Sequence, residues 1–279
     1  MYYLFLVGKF LSLTFPRGLC YFFARIIAFL YFCFSKKDRE TLYYNLSVIV
    51  KDKKKIRKYI REVFINFSYY LVDFFRYSKL NKKFIKKYVK ITGLEYLEEA
   101  WKRKKGVIAI TAHLGNYELG GAIVSLLGYP LYAVALPHRD KRIDIFFNLQ
   151  REKVGIKVIS TGGTTIKKCF SALRKGGIIA LLGDRDFSRS GLRVKMFSSH
   201  YAYLPKGVVF FSLKTNSVVV PSFLIRKNKK FYHLIFEKPI FSPDEGLKEE
   251  DIIKRYVNVL EVYLKKYPQQ WYMFEKYWI

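Results

Sequence analysis

The first 34 residues are apolar almost without a break, interrupted only by polar positions such as Lys9, Arg17 and Arg25. A membrane-spanning helix needs about 20 predominantly apolar residues. The stretch 10–34 reaches that length only by carrying Arg17 and Arg25, and arginine is tolerated near a helix end, where it snorkels, better than at the centre. Two readings compete: one tilted membrane helix around 16–34, or a helical hairpin lying in the interface. A buried core helix is the plain alternative. A cleaved signal peptide fits less well, because no basic segment precedes the apolar run and no small-x-small site closes it. Farther on, Ile56, Ile60, Val63, Phe64, Phe67, Leu71, Phe74 and Phe75 recur at helical spacing and predict a helix over 56–77. A Lys-rich amphipathic piece continues over 79–92. The texture then changes to short, apolar runs at 106–111, 131–136, 158–159, 178–182, 218–221 and 232–236, of the kind that fill buried strands in a helix-covered sheet. Helical segments at 117–127, 143–154, 164–174 and 205–214 separate several of them. A last helix over 247–266 opens on Glu249-Glu250-Asp251 and closes on Lys265-Lys266, in accord with its dipole. This alternation predicts an α/β domain with a largely parallel central sheet. With no repeat or low-complexity linker in view, the organisation is a membrane-associated helical segment at 1–35 and a single α/β domain at 36–279.

Composition narrows the choice of partner. Half the chain (51%) is hydrophobic and 18% is aromatic, which excludes a disordered polyelectrolyte. Three scattered cysteines, Cys20, Cys33 and Cys169, exclude a disulfide scaffold and a Cys-rich zinc site, and His138, His200 and His233 are too dispersed for a metal centre. The 51 Lys and Arg against 22 Asp and Glu leave a net charge of +29. Such charge asks for nucleic acid, anionic lipid or an acidic protein. Position decides among them. Residues 36–61 hold ten Lys or Arg against Asp38, Glu40 and Asp52, directly after the apolar segment. Positive charge beside an apolar anchor stays cytoplasmic, and each basic group near an anionic leaflet adds about 1 kcal/mol of attraction. A second basic run, 79–105, leads toward the candidate site. No helix-turn-helix, zinc-finger or aromatic RNA-binding pattern accompanies the charge, so nucleic acid is not expected as a partner.

Chemistry in an open parallel sheet gathers at the carboxyl ends of the strands. The 106–111 run ends in Thr111-Ala-His113-Leu-Gly115-Asn116-Tyr117-Glu118, which places an imidazole in a tight turn and a carboxylate in the first turn of the next helix. If the turn folds back, Glu118 accepts from one ring nitrogen and leaves the other as a base. With no serine beside it, the nucleophile would be a substrate hydroxyl deprotonated by His113 as it attacks an acyl carbonyl, and helix N-terminal amides could stabilise an oxyanion or hold a phosphate. The bland alternative is a histidine that only caps a helix in a non-catalytic membrane scaffold. The 178–182 run ends in Gly183-Asp184-Arg185-Asp186 over the same sheet edge. Arg185 could hold phosphate, and the carboxylates could orient sugar hydroxyls or pin Arg151; an Asp-rich turn is the alternative.

His113-Leu-Gly-Asn-Tyr-Glu118, followed by Leu-Gly-Gly, resembles the signature of the lipid A biosynthesis acyltransferase family, which includes the phosphatidylinositol mannoside acyltransferases. The resemblance extends along the chain through Arg39, Asn45-Leu46, Arg151 with Gly155, Gly183-Asp184-Arg185-Asp186, Pro205-Lys206-Gly207 and Pro268-Gln-Gln-Trp271 to Trp278. It implies an αβα sandwich like that of the glycerolipid acyltransferases. It also implies transfer of a fatty acyl chain from an acyl carrier protein or CoA thioester, with no further cofactor and no metal, to a hydroxyl of a membrane glycolipid. The first acceptor class is a lipid A precursor, with a phosphatidylinositol mannoside or another glycolipid or lysophospholipid as the alternative. His113 would be the general base, with Glu118 its partner, and Asn116, Arg151, Asp184 and Arg185 would bind substrate or order the site. The implied location is the cytoplasmic face of the inner membrane. The Asp-Arg-Asp form with Ser188-x-x-Gly191 is similar to the mannoside-acylating branch.

Overall fold

A computed structural model describes residues 1–186, 190–241 and 246–279; Ser188 of the Ser-x-x-Gly motif lies outside the described residues. Pro16 divides the apolar N-terminus into α1 (Tyr2–Thr14) and α2 (Arg17–Phe34). Proline has no N–H to continue the first helix and is tolerated at the start of the second. Both pack on a long helix, α4 (Lys53–Phe75), which follows α3 (Lys36–Ile49). Asp52 caps α4, accepting from the Lys54 and Lys55 amides. The expected helix over 56–77 is therefore present and begins three residues earlier.

The expected Lys-rich piece at 79–92 resolves into two elements, α5 (Lys82–Tyr88) and a short strand β1 (Val89–Thr92), and is followed by an unanticipated helix α6 (Leu94–Lys102). Strand and helix then alternate: β2 (Val107–Thr111), α7 (Tyr117–Leu126), β3 (Leu131–Ala135), α8 (Lys141–Glu152), β4 (Lys157–Ser160), α9 (Thr165–Arg174) and β5 (Ile178–Leu182). A separate antiparallel hairpin, β6 (Leu192–Met196) with β7 (His200–Leu204), precedes α10 (Gly207–Thr215), β8 (Val218–Arg226), β9 (Tyr232–Phe236) and α11 (Glu249–Lys266).

The sheet has the order β1-β9-β8-β2-β5-β3-β4. Five strands run parallel; β8 and β9 are antiparallel, so β9 and its parallel neighbour β1 oppose the rest. Pro221 stands where β8 stops pairing with β2 and starts pairing with β9, which is why the apolar run broke there while the strand continues to Arg226. Successive β2 side chains serve opposite layers. Val107 and Ala109 pack with Leu97, Leu119, Ile123 and Phe147 from α6, α7 and α8. Ile108 and Ile110 pack with Leu173, Val209, Ile252 and Leu260 from α9, α10 and α11. The sheet is thus covered on both faces, as all-apolar strands require.

Candidate active site

β5 lies beside β2 in the sheet although 66 residues of chain and two other strands are made between them, and the two strands end in register, Thr111 opposite Leu182. The pairing continues past both ends. Gly183 N–H donates to Thr111 O (2.8 Å), and then the Asp184 side chain takes over, its Oδ2 accepting the His113 backbone N–H (3.0 Å). Asp184 Oδ1 accepts from His113 Nδ1 at 2.8 Å, and the Trp271 indole donates to Oδ2 at 3.1 Å. A buried, ionised carboxylate accepts only, so Nδ1 carries the proton and Nε2 keeps its lone pair. Burial would raise the Asp184 carboxyl, but the charge and hydrogen bond of His113 and the indole outweigh it and hold the group below its ordinary value.

The turn carrying His113 is fixed from its other side. Gly115 has φ +66°, and a Cβ there would meet Leu224 O at 2.1 Å. Its N–H donates to Gln270 O (2.9 Å), while Tyr272 N–H donates to His113 O (2.8 Å). The Gln270 amide is itself clamped to both backbone groups of Arg226 in β8. The Pro-Gln-Gln-Trp segment therefore holds the histidine turn in place and orients Asp184. Tyr117 sets its ring edge-on against the imidazole, centroids 5.5 Å apart, and its hydroxyl accepts from Tyr70.

The expected pairing of Glu118 with His113 is not what the structure shows. Glu118 sits in the first turn of α7 and takes a forked ion pair from Arg151 of α8: Nε to both carboxylate oxygens (3.2 and 3.1 Å) and Nη2 to Oε1 (2.5 Å). The reason is geometric. The strand-end register delivers Asp184 to the imidazole, whereas helix α7 delivers Glu118 toward α8. Arg151 Nη1 donates to Asn148, and the opposing charge of Glu118 overcomes burial to hold the guanidinium's proton tightly. It is thus Glu118, not a strand-end aspartate, that pins Arg151. His138, after β3, senses the same pair: burial and the Arg151 charge push its imidazole down.

Asn116, expected to touch substrate, is only 2% exposed. Its Oδ1 caps α7 through the Leu119 N–H, and its Nδ2 donates to Asp73 Oδ2 at 2.8 Å. Arg185 points to Glu275 in a close ion pair, and Asp186 accepts from the Gly191 N–H at 2.7 Å, which ties it to the start of the β6–β7 hairpin. A buried cluster behind the site had no counterpart in the sequence reading. Asp73 of α4 accepts from Tyr21 of α2, Tyr232 of β9, Arg226 of β8 (2.5 Å) and Asn116. A lone acid in Tyr-Tyr-Leu-Val-Asp73-Phe-Phe was the available signal, since an acid embedded among core positions requires a buried partner. Among the described residues, no group of three His, Cys, Asp or Glu converges in a metal-holding arrangement.

A family model described as bacterial lipid A biosynthesis acyltransferase matches residues 1–279. The chain belongs to that family. Curated relatives are distant. A lipid A biosynthesis acyltransferase of Haemophilus influenzae is 29% identical over 144 residues, 51% of this chain and 45% of the relative. A lipid A biosynthesis palmitoleoyltransferase of Escherichia coli is 23% identical over 190 residues, 67% and 60% of the two chains. A phosphatidylinositol mannoside acyltransferase of Mycolicibacterium smegmatis is 21% identical over 224 residues, 79% and 72%. The matches span about half to three-fifths of the length of these lipid A relatives. In this chain His113 and Asp184 face each other, Glu118 and Arg151 form an ion pair, and the Trp271 indole holds the aspartate.

Proposed function

We propose that this protein is a membrane-docked O-acyltransferase that moves a fatty acyl chain from an acyl carrier protein or CoA thioester to a hydroxyl of a glycolipid, a lipid A precursor. The observation that carries the reading is the His113–Asp184 pair at the adjoining tips of β2 and β5, with Nε2 lacking a hydrogen-bond partner among the described residues. Nε2 takes the acceptor hydroxyl proton as the oxygen attacks the thioester carbonyl carbon. Asp184 stabilises the imidazolium that forms. The tetrahedral intermediate then collapses, the C–S bond breaks, and the imidazolium returns the proton to the departing thiolate. Helix α7 aims its positive N-terminal end beside this imidazole, a placement suited to the developing oxyanion. Glu118 and Arg151 form the wall next to it, where they order the site and the acceptor. The fold is that of the glycerolipid acyltransferases in this reading, with residues 1–35 as the membrane-associated part and 36–279 as the catalytic domain.

Membrane docking is supported by the outer faces of α1 and α2. Tyr3, Leu4, Val7 and Phe10, then Phe22, Phe23, Ile26, Ile27, Leu30 and Phe34 (85% exposed) form apolar surface far beyond what isolated exposed side chains require. Among the described residues, α2 is the helix long and apolar enough to cross a bilayer, and 22% of it is buried against the protein. The basic residues of 36–61 follow directly, so the protein sits on the cytoplasmic face of the inner membrane with its charge toward anionic lipid and an acidic donor. The longer match to the mannoside acyltransferase favours a mannosylated phosphoinositide as the second acceptor class.

Purified full-length protein, supplied with an acyl-carrier-protein or CoA thioester and either acceptor, should yield an acylated product by mass spectrometry. His113→Ala should lower turnover by about 10²–10⁴-fold, the usual worth of a general base, with its melting transition retained. Wild-type turnover in a folded His113→Ala protein would sink the mechanism.

A further inference from the structure

A cavity of about 270 Å³ lies at the foot of the α1–α2 turn, lined by Arg17, Arg76 and Lys79 with Phe84, Tyr88 and Asp73. His113 is not among its walls. Three cations converge there, and the single acid is already matched, because Asp73 is held by Arg226, Tyr21, Tyr232 and Asn116. Arg76 and Lys79 each use one nitrogen on carbonyls at the end of α1: Arg76 Nη1 on Ser12 and Phe15, Lys79 Nζ on Leu13. Arg17 is held more rigidly. Its Nη2 donates to Lys230 O (2.9 Å), and its guanidinium lies over the Tyr88 ring at 4.5 Å and near Phe84 at 5.3 Å. Nη1 is enclosed, yet among the described residues it has no hydrogen-bond partner. A buried donor without an acceptor is costly, and a cation deepens that cost. An anion in the cavity would remove it.

We propose that this cavity is a phosphate-binding site, distinct from the acyl-transfer centre, with Arg17 as its principal ligand. Its volume falls below the roughly 300 Å³ lower bound for pockets that enclose drug-sized ligands, which suits a phosphoryl group and its ester atoms rather than an acyl chain. Planar guanidinium groups match phosphate oxygens in pairs. The exposed apolar residues Phe15 and Leu19 flank the turn, so the phosphate that reaches the cavity is that of a phospholipid headgroup; this source, though not the site itself, rests on the membrane-docked reading above.

The test is calorimetric titration of the full-length protein in neutral-detergent micelles with dioctanoyl phosphatidylglycerol and, separately, with inorganic phosphate. Saturable binding of either probe, weakened about tenfold or more in Arg17→Gln and partly regained in Arg17→Lys, supports the site. Tighter binding of the lipid, with competition by inorganic phosphate, identifies a headgroup; equal or tighter binding of inorganic phosphate identifies a soluble phosphate instead. Lys157→Gln, exposed on β4 at the opposite edge of the sheet from β1, six strand spacings or about 29 Å away, should bind as wild type. Lys79→Gln supplies a second variant should Arg17→Gln melt early. Absence of saturable binding to the wild-type protein overturns the proposal, as does equal affinity in folded Arg17→Gln and Lys79→Gln. Since the readout is binding, His113→Ala should leave it unchanged whether or not the acyl-transfer reading holds.

Discussion

Replacing Asp184 by asparagine separates the two carboxylates near the imidazole. The Asp184 carboxylate accepts three donors at once: His113 Nδ1 at 2.8 Å, His113 N at 3.0 Å and the Trp271 indole at 3.1 Å. An asparagine of the same shape keeps its single oxygen where two of those donors converge, on the Oδ2 side. Its NH2 group then faces Nδ1. Nδ1 must accept rather than donate, the imidazole proton moves to Nε2, and the base is lost. The opposite flip would set an NH2 group against two N–H donors in a buried site, which is worse. The same exchange in serine-protease triads lowers kcat on the order of 10⁴-fold through the tautomer, or about 5.5 kcal/mol of barrier. A comparable fall is expected here in initial rates of acyl transfer from the thioester. Lost charge-assisted hydrogen bonds, about 1.5–3 kcal/mol each, should also lower the melting temperature without unfolding the protein. The decisive comparison is with Glu118→Gln at matched folded fraction. If Asp184→Asn stays within about tenfold of wild type while a folded Glu118→Gln is inactive, then Glu118 orients the base in the working enzyme and the geometric argument fails.

Glu118 and Arg151 should behave as one unit. Removing either partner from this buried pair is expected to cost about 3–5 kcal/mol of stability, and the double variant Glu118→Ala with Arg151→Ala should cost less than the sum, as a denaturation cycle would show. Gly115→Ala should be expressed poorly or melt far lower, because it combines a positive φ with a methyl 2.1 Å from Leu224 O; a wild-type melting curve would contradict that contact. Asp184 also predicts an acid limit. Its folded carboxyl is depressed, so its stabilising contribution is present above the ordinary value of 3.8 and lost as pH falls through the lower folded value. The stability difference between wild type and Asp184→Asn should therefore persist down to about pH 4 and shrink below it, measured by denaturant titration.

Most of the sheet was legible in the sequence because buried strands are written as short apolar runs, and each run from 106–111 to 232–236 holds a strand. β1 was not, since Val-Lys-Ile-Thr at a sheet edge is four residues long and follows a Lys-rich helix without a break in texture. The β6–β7 hairpin escaped for a different reason: its apolar positions, Leu192, Val194 and Met196 with Ala202 and Leu204, alternate with Arg193, Lys195 and the tyrosines, so one face packs into the core while neither strand is a continuous apolar run. His113, Glu118, Arg151, Asp184 and Trp271 were all singled out as residues or motifs. Their partners were not, because His-x4-Glu is a statement about chain distance, whereas the pairing follows from strand order. Only knowing that β5 is inserted beside β2 brings Asp184, 71 residues away, to the imidazole in place of a glutamate five residues away. Asn116 shows a further role that the motif does not spell out: it caps α7 and donates to Asp73, both set by where the helix starts and what packs behind it.

The clamp of residues 270–272 on the histidine turn has a consequence for biogenesis. The ribosome makes α1 and α2 before Gln270 and Trp271, so their outward apolar faces are exposed while those two residues are still unmade. Until those residues arrive, Gly115 N–H and His113 O lack their partners and Asp184 lacks its indole donor. On the proposed membrane-docked acyltransferase function, a nascent chain would settle on the bilayer with an imidazole not yet aligned, and acyl transfer would switch on only once residues 270–272 close against the turn. In that proposed function, the distance along the chain between α2 and Trp271 would act as a timer that separates membrane docking from acyl transfer.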